Sequence, residues 1–303
     1  MEIIKGKQTR AQKVVIYGTE GIGKSTFVAN FPDPLFIDTE NGTSALDVSR
    51  TRPTSWEELK GMIQEVIATP GICKTLVIDT VDSAERMLLD YICKDKNVDG
   101  IESIGYGRGY VYAGEEMGKF LQDLDEVIGC NINVVLVSHA QMRKFEEPDQ
   151  MGSYDRYELK LSKKIGPMVK EWADHLLFFA YKTYTVLDQT GKTKATGGKR
   201  VIYTTHQPTW DAKNRAGLPD CIDMDYEKIK SIFGSVRTPL DTVKELMAES
   251  DITEEQLQAF LGSKRKTLLT TPLDKWPENV LTQTVIPKWN EIVEKIKGEN
   301  NNG

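Results

Sequence analysis

Val14-Val15-Ile16-Tyr17 runs straight into Gly18-Thr19-Glu20-Gly21-Ile22-Gly23-Lys24-Ser25, with Thr26 following. The stretch from Gly18 to Ser25 matches G-x-x-x-x-G-K-[ST], and it sits between a β-branched run and a short helical stretch, which is the setting of a phosphate-binding loop. Its glycines let backbone N–H groups wrap an anion, because a Cβ would obstruct close approach. The helix expected over 24–30, stopped by Phe31-Pro32-Asp33-Pro34, presents its positive N-terminus to the same anion. Gly18, Thr19, Glu20, Gly21, Ile22, Gly23, Lys24, Ser25 and Thr26 are therefore the candidate nucleotide-binding residues. Lys24 is placed to reach the β- and γ-phosphates and Ser25 to ligate Mg²⁺. The cofactors expected are ATP and Mg²⁺.

Working outward, Leu35-Phe36-Ile37-Asp38 and Thr75-Leu76-Val77-Ile78-Asp79 read as buried strands, and Asn133 to Ser138 as a fourth. Asp79 closes its strand, where a carboxylate can hold the water shell of Mg²⁺ or simply cap the next helix. Thr80 follows, so the glutamate that many phosphate-loop ATPases place directly after this aspartate is missing. Glu40, at the carboxyl end of the strand after the loop, is the candidate for activating water. His139 follows Leu136-Val137-Ser138 and is a candidate sensor of the γ-phosphate. Lys213 and Arg215, in Lys213-Asn214-Arg215, point the same way from an extended segment. They read equally as a solvated loop or as a cationic finger acting in cis or on a neighbouring subunit.

Strands alternate with helices: Ser55 to Ala68 opens with a Ser55/Glu58 capping box, another helix runs to about Asp95, and a third runs from about Ala113 to Ile128. That alternation predicts a mostly parallel α/β sheet flanked by helices, with hairpins over 175–205 extending one edge. A turn is expected at Gln189-Thr190-Gly191-Lys192, and a long polar connection over 140–165. The expected organisation is a tail over 1–12, a core over 13–235, a small helical module over 236–298 and a disordered end over 299–303. In that module Thr238-Pro239 starts one helix, with Pro at the first helical position, and Thr253/Gln256 form a second capping box.

The net charge of −6 excludes a global basic field for nucleic acid, so any such contact must be local. Two loops qualify. One carries Tyr106, Arg108 and Tyr110 among glycines, the composition of a base-stacking platform; the other carries Arg143, Lys144 and Arg156. Tyrosines packed into the core are the plainer alternative. Cys73, Cys93, Cys130 and Cys221 have no C-x-x-C spacing and read as buried free thiols. No stretch is long enough to span a membrane and no secretory leader is legible, so a cytoplasmic protein is expected.

The loop, Glu40 on the next strand, Asp79 and the Ser138-His139 strand end together resemble the RecA-like P-loop ATPases. The resemblance implies that Glu40 is the catalytic glutamate, that His139 stands where glutamine is common, and that the loops after Asp79 and Ser138 bind DNA. Lys213 and Arg215 resemble the trans-acting finger pair of hexameric RecA-fold helicases of the DnaB type. More narrowly, Tyr17 to Thr26, Asn30-Phe31-Pro32 and Trp210 to Arg215 are similar to phage nucleotide-binding AAA-type proteins, including the RecA-core branch of the Sak single-strand annealing recombinases. The function implied is ATP hydrolysis coupled to binding single-stranded DNA and promoting annealing or recombination, in the host cytoplasm. The implied partners are single-stranded DNA, further copies of the chain in a ring or filament, and a single-strand-binding protein at the C-terminal helices. A helicase-like or loader ATPase is the second reading. A small-molecule or nucleotide kinase is the third, and no Arg-rich lid supports it.

Overall fold

A computed structural model describes residues 10–69, 71–146, 152–187, 193–233, 239–262, 268–269 and 271–300. Among these, nine strands form one sheet in the order β3-β2-β4-β5-β1-β7-β8-β9, with β6 paired to β5. The strands are β1 (Lys13–Gly18), β2 (Pro34–Asp38), β3 (Ser49–Thr51), β4 (Thr75–Asp79), β5 (Asn133–Glu146), β6 (Ser153–Leu159), β7 (His175–Leu187), β8 (Thr193–Tyr203) and β9 (Cys221–Asp223). From β3 to β7 the path is parallel, and β6, β8 and β9 are antiparallel additions. This is the mostly parallel α/β architecture that the strand–helix alternation predicts.

Side chains alternate across the pleat, and both faces are covered. Val15, Tyr17, Ile78, Leu136 and Phe178 face α2 (Trp56–Ala68), α3 (Val81–Asp95), α4 (Arg108–Gly129) and α5 (Ile165–Trp172). Val14, Ile16, Val77, Val137 and Phe179 face α1 (Lys24–Val28) and the turns that end in Ile232 and Phe233. Ser55 caps α2 by accepting the Glu58 N–H at 3.2 Å, but the Glu58 carboxylate turns to the N–H of Thr54 at 2.7 Å, so only half of the expected box forms.

Several elements differ from expectation. The connection over 140–165 is mostly β-structure: β5 continues past His139 to Glu146 and returns as β6, with Ala140 opposite Leu159. Likewise β7 is one unbroken strand, paired to β8; the expected turn at 189–192 lies outside the described residues. Helix α4 begins at Arg108, five residues early, and so takes in Arg108 and Tyr110. Arg10 to Gln12, expected as tail, belong to the core: Arg10 grips Asp174 with two bonds of 2.9 Å, and Ala11 is fully buried. Of the four free cysteines only Cys73 is buried, its thiol pushed up to about 11 by burial, and Cys130 is exposed.

Arg10–Gly234 is one compact unit, and the helices after Ser235 belong to another. The latter comprises α6 (Pro239–Ser250), α7 (Glu254–Gly262), α8 (Glu278–Val280) and α9 (Trp289–Asn300) around Val243, Leu257, Trp276, Val285 and Trp289. The Thr253/Gln256 capping box is complete: the Thr253 N–H donates to Gln256 Oε1 at 2.8 Å and the Gln256 N–H to Thr253 Oγ1 at 3.3 Å. Thr238 and residues 301–303 lie outside the described residues. No helix among the described residues is long and apolar enough to cross a membrane.

Candidate nucleotide site

Strand β1 lies between β5 and β7, and at its carboxyl end the chain leaves the sheet through the glycine loop. Gly21 and Gly23 have φ of +73° and +100°, a backbone that side chains rarely adopt. Gly18 is a glycine for another reason. A Cβ there would lie 2.5 Å from the Phe179 carbonyl oxygen. Lys24 is buried and its ammonium donates to the carbonyls of Gly18 at 3.1 Å and Thr19 at 3.2 Å. Burial lowers its pKa, with nearby carboxylates of Asp79, Asp82, Glu40 and Glu20 opposing. The buried Thr19 hydroxyl has no partner. A cradle of positive-φ glycines, a buried ammonium and an orphaned hydroxyl fit a polyphosphate.

Asp79, at the end of β4, is nearly fully buried and takes a hydrogen bond from the Ser25 side chain. Burial pushes its pKa up to about 6, a shift reinforced by Asp38 and Glu40 and opposed by Ser25 and Lys24. A desolvated carboxylate beside a serine hydroxyl fits a divalent cation, whose charge would offset that desolvation.

The next strand end is stitched to this one. Thr39 donates its N–H to the Asp79 carbonyl at 2.9 Å, and its hydroxyl lies 2.9 Å from the Thr80 carbonyl and 2.7 Å from the Thr80 nitrogen. Asp38 is spent on structure, because its carboxylate accepts the N–H groups of Glu40, Gly42 and Thr43 and the Thr43 hydroxyl. Burial would raise its pKa, but those four donors bring it down overall. Glu40 is held through Oε1, which accepts from the Thr80 hydroxyl at 2.9 Å and the Ser83 hydroxyl at 2.8 Å. Arg86 lies 3.7 Å and His139 Nδ1 3.8 Å from the same oxygen. The position after Asp79 is thus not idle: Thr80 caps α3 and fixes Glu40 in place.

His139 sits where β5 leaves the sheet, opposite Gly18. Its main-chain N–H donates to Asp82 Oδ1 at 3.0 Å and its Nδ1 lies 2.9 Å from Oδ2. The Asp82 bond raises the His139 pKa, while burial and Lys24 oppose it. Glu40, Asp82 and His139 bring potential ligand atoms within 4.8 Å of one another, and Asp82 and His139 spend their facing atoms on a 2.9 Å hydrogen bond to each other.

Lys213 and Arg215 are brought elsewhere. The Lys213 main chain pairs with Leu176, and its ammonium donates to the carbonyls of Glu171 and Ala173. Arg215 donates to Asp174 at 2.6 Å, beside His175 at the start of β7. Phe179, opposite Gly18, is four residues further along that strand, about 13 Å at ~3.3 Å per residue. The pair therefore lies toward the opposite end of β7 from this chain's own loop. Burial pushes the His175 pKa down to about 4, with its two ring nitrogens near Gln12 Oε1 and the Arg215 N–H.

The candidate DNA residues separate. Tyr106 is fully exposed at a positive φ, Arg108 is exposed, and Tyr110 is half-buried. Lys144 is exposed on β5, while Arg143 is tied to Glu158 and to the Leu161 carbonyl. Arg156 is a correction. It is buried, ion-paired with Asp211 and stacked 5.1 Å from the centre of the Phe145 ring, so it has no surface to offer a phosphate backbone.

Sequence reasoning missed Thr80, Asp82 and Ser83, which the run Asp79-Thr80-Val81-Asp82-Ser83 offers as the first turn of a helix beginning at a strand's carboxyl end. It also missed Arg200, which donates to the Ile22 carbonyl at 3.3 Å and comes within 2.9 Å of where a Gly23 Cβ would be.

A phosphate-gripping loop after the first strand of a parallel sheet, with an aspartate closing a strand that one other strand separates from it, defines a P-loop NTPase. The chain belongs to the AAA domain family, whose model matches residues 10–216. It is also similar to the SPbeta prophage-derived uncharacterized protein YorG of Bacillus subtilis (strain 168), at 23% identity over 144 residues. That stretch covers 45% of this chain and 43% of that protein, so the chain spans under half of the relative's length.

Proposed function

We propose that the chain is a phage-encoded, RecA-like ATPase that binds single-stranded DNA and promotes strand annealing or recombination. The observation that carries the catalytic part is Glu40, held by Thr80 and Ser83 with His139, the residue opposite Gly18, 3.8 Å away and Lys24 within electrostatic reach. Lys24 and the loop amides would hold the phosphates, exchanging the lysine's present bonds to Gly18 and Thr19 for phosphate oxygens. Ser25 and Asp79 would hold Mg²⁺, which screens phosphate charge. Glu40 would orient water and take its proton as the water attacks phosphorus. Exposed Tyr106, Arg108 and Lys144 support a DNA role, and the prophage relative supports a phage origin.

Because Lys213 and Arg215 do not reach their own loop, a ring or filament in which they complete a neighbour's site is favoured over a monomer. The same observation supports a helicase-like or loader ring as the second reading. Turnover of ATP with and without single strands, followed by annealing and unwinding assays, tests the proposal. Expected are DNA-stimulated turnover, annealing without unwinding, and loss of ATP binding in Lys24→Ala. Unwinding would favour the motor, and a normally active Lys24→Ala would refute the site. A chain lacking the C-terminal helices tests whether these recruit a single-strand-binding protein.

A further inference from the structure

We infer that Asp82 is a positioning residue of this site, holding His139 as an imidazolium whose Nε2–H is offered to the terminal phosphate of the bound nucleotide. The inference rests on the ATPase reading above and assigns a role to a residue outside the loop, the metal pair and Glu40.

Asp82 is 6% exposed, and both of its oxygens are committed to one residue. Oδ1 takes the main-chain N–H of His139 and Oδ2 its Nδ1. This two-point clamp fixes the backbone at the end of the part of β5 paired to β1 and the plane of the ring together. With Nδ1 engaged, Nε2 is left as the nitrogen that can meet a ligand. His139 lies beside the phosphate lysine's anchor: it pairs opposite Gly18, whose carbonyl takes the Lys24 ammonium at 3.1 Å, and Lys24 acts electrostatically on both Asp82 and His139.

The charge on the ring decides the sign of that contact. A neutral imidazole with its proton on Nδ1 presents a lone pair at Nε2, which repels a phosphate oxygen. An imidazolium presents N–H at both nitrogens. The groups acting on His139 are Asp82 from α3, Glu40 from the turn after β2, and Lys24 from the loop helix, with Arg86 of α3 reaching the Glu40 oxygen at 3.7 Å. Asp82 in direct contact favours the cation, with help from Glu40 and against Lys24 and burial. In turn, burial would raise the Asp82 pKa, but its bonds to His139 bring it down, so each partner favours the charged form of the other. Neutralising Asp82 while keeping its shape removes the charge that keeps Nε2 a donor.

The test follows the ring itself. The chain has three histidines, His139, His175 and His206, so side-chain ¹H–¹⁵N spectra can be assigned with a His139→Gln variant. Three results are expected. The His139 titration midpoint falls by about one pH unit or more in Asp82→Asn. The alkaline limb of the ATPase profile falls by the same interval, with KM changing less than kcat. The double variant Asp82→Asn/His139→Gln is no slower than His139→Gln alone. Asp82→Glu keeps the charge and is expected to keep the raised midpoint, which preserves the test if the asparagine variant does not fold. Adding a non-hydrolysable ATP analogue with Mg²⁺ is expected to shift the His139 Nε2 resonance.

Bound analogue with an unmoved Nε2, or an unmoved midpoint in folded Asp82→Asn, overturns the inference and leaves the ATPase reading standing. A midpoint that drops in Asp82→Glu as far as in Asp82→Asn also overturns it. A wild-type chain that binds no nucleotide brings down the ATPase reading first.

Discussion

A Cβ on Gly18 would press on the Phe179 carbonyl at 2.5 Å and its Cβ at 2.9 Å, whereas one on Gly21 would meet nothing within 4 Å. Two glycines of one motif therefore serve different ends. Gly18 lets β1 and β7 lie side by side, and Gly21, at φ +73°, shapes the loop for an anion. Gly18→Ala is expected to destabilise the core by about 1–3 kcal/mol, as overpacking does, and to lower the melting temperature with or without nucleotide. Gly21→Ala is expected to cost ~1 kcal/mol of backbone strain and to show chiefly as weaker ATP binding. Thermal melts and nucleotide titrations of both variants separate the two, and equal losses of stability would contradict this division. Nothing in the motif distinguishes the two glycines, because the difference lies in a strand about 160 residues away in sequence. Arg200 was illegible for the same reason.

Buried strands were readable as short unbroken apolar runs, and α2 by the 3.6-residue spacing of its apolar residues. β1, β2, β4, α2 and α3 form where those readings place them. The β5–β6 hairpin was not readable, because beyond His139 the strand leaves the sheet and its side chains alternate between half-buried and exposed. A projecting ribbon lacks the apolar face that marks a strand in sequence, and its pairing to β6 alone defines it. The early start of α4 has a packing cause: Gly109, a poor helix former, lies where a Cβ would meet the Ile101 carbonyl at 2.5 Å. Of the candidate site, the loop, Glu40 and Asp79 were legible as motif and strand ends, but the threonine and serine that aim Glu40 were not. Within the hairpin, Arg156 and Lys144 are expected to behave oppositely. Arg156→Ala breaks a buried ion pair, although Lys170 and His206 still face Asp211, and is expected to destabilise the core by about 3 kcal/mol. Lys144→Ala is expected to leave the melting temperature unchanged and to weaken single-strand binding, with a shallower salt dependence. Denaturation curves and salt titrations of binding check both.

At the scale of the molecule, Lys213 and Arg215 are tied to Ala173 and Asp174, away from the chain's own loop, and the proposed ring or filament would bring them to a neighbour's. Mixing Lys24→Ala chains with Arg215→Ala chains, each weak alone, is expected to restore part of the ATPase activity, since some interfaces then pair an intact loop with an intact arginine. Activity that stays at the sum of the two separate preparations would mean that no neighbour is completed. The sheet order carries one more consequence. The strands on either side of β1 both outrun it, β5 as far as Glu146, paired to β6, and β7 as far as Leu187, paired to β8, so a two-stranded ribbon continues past the glycine loop on each side. The Tyr157 and Phe178 rings lie 5.2 Å apart, and Trp210 stacks on Phe178 and Tyr203, so the two ribbons are joined at their roots. A polymer draped over both ribbons would cross above the loop and impede a departing nucleotide. Slow ADP escape would then be the kinetic mark of a bridged pair.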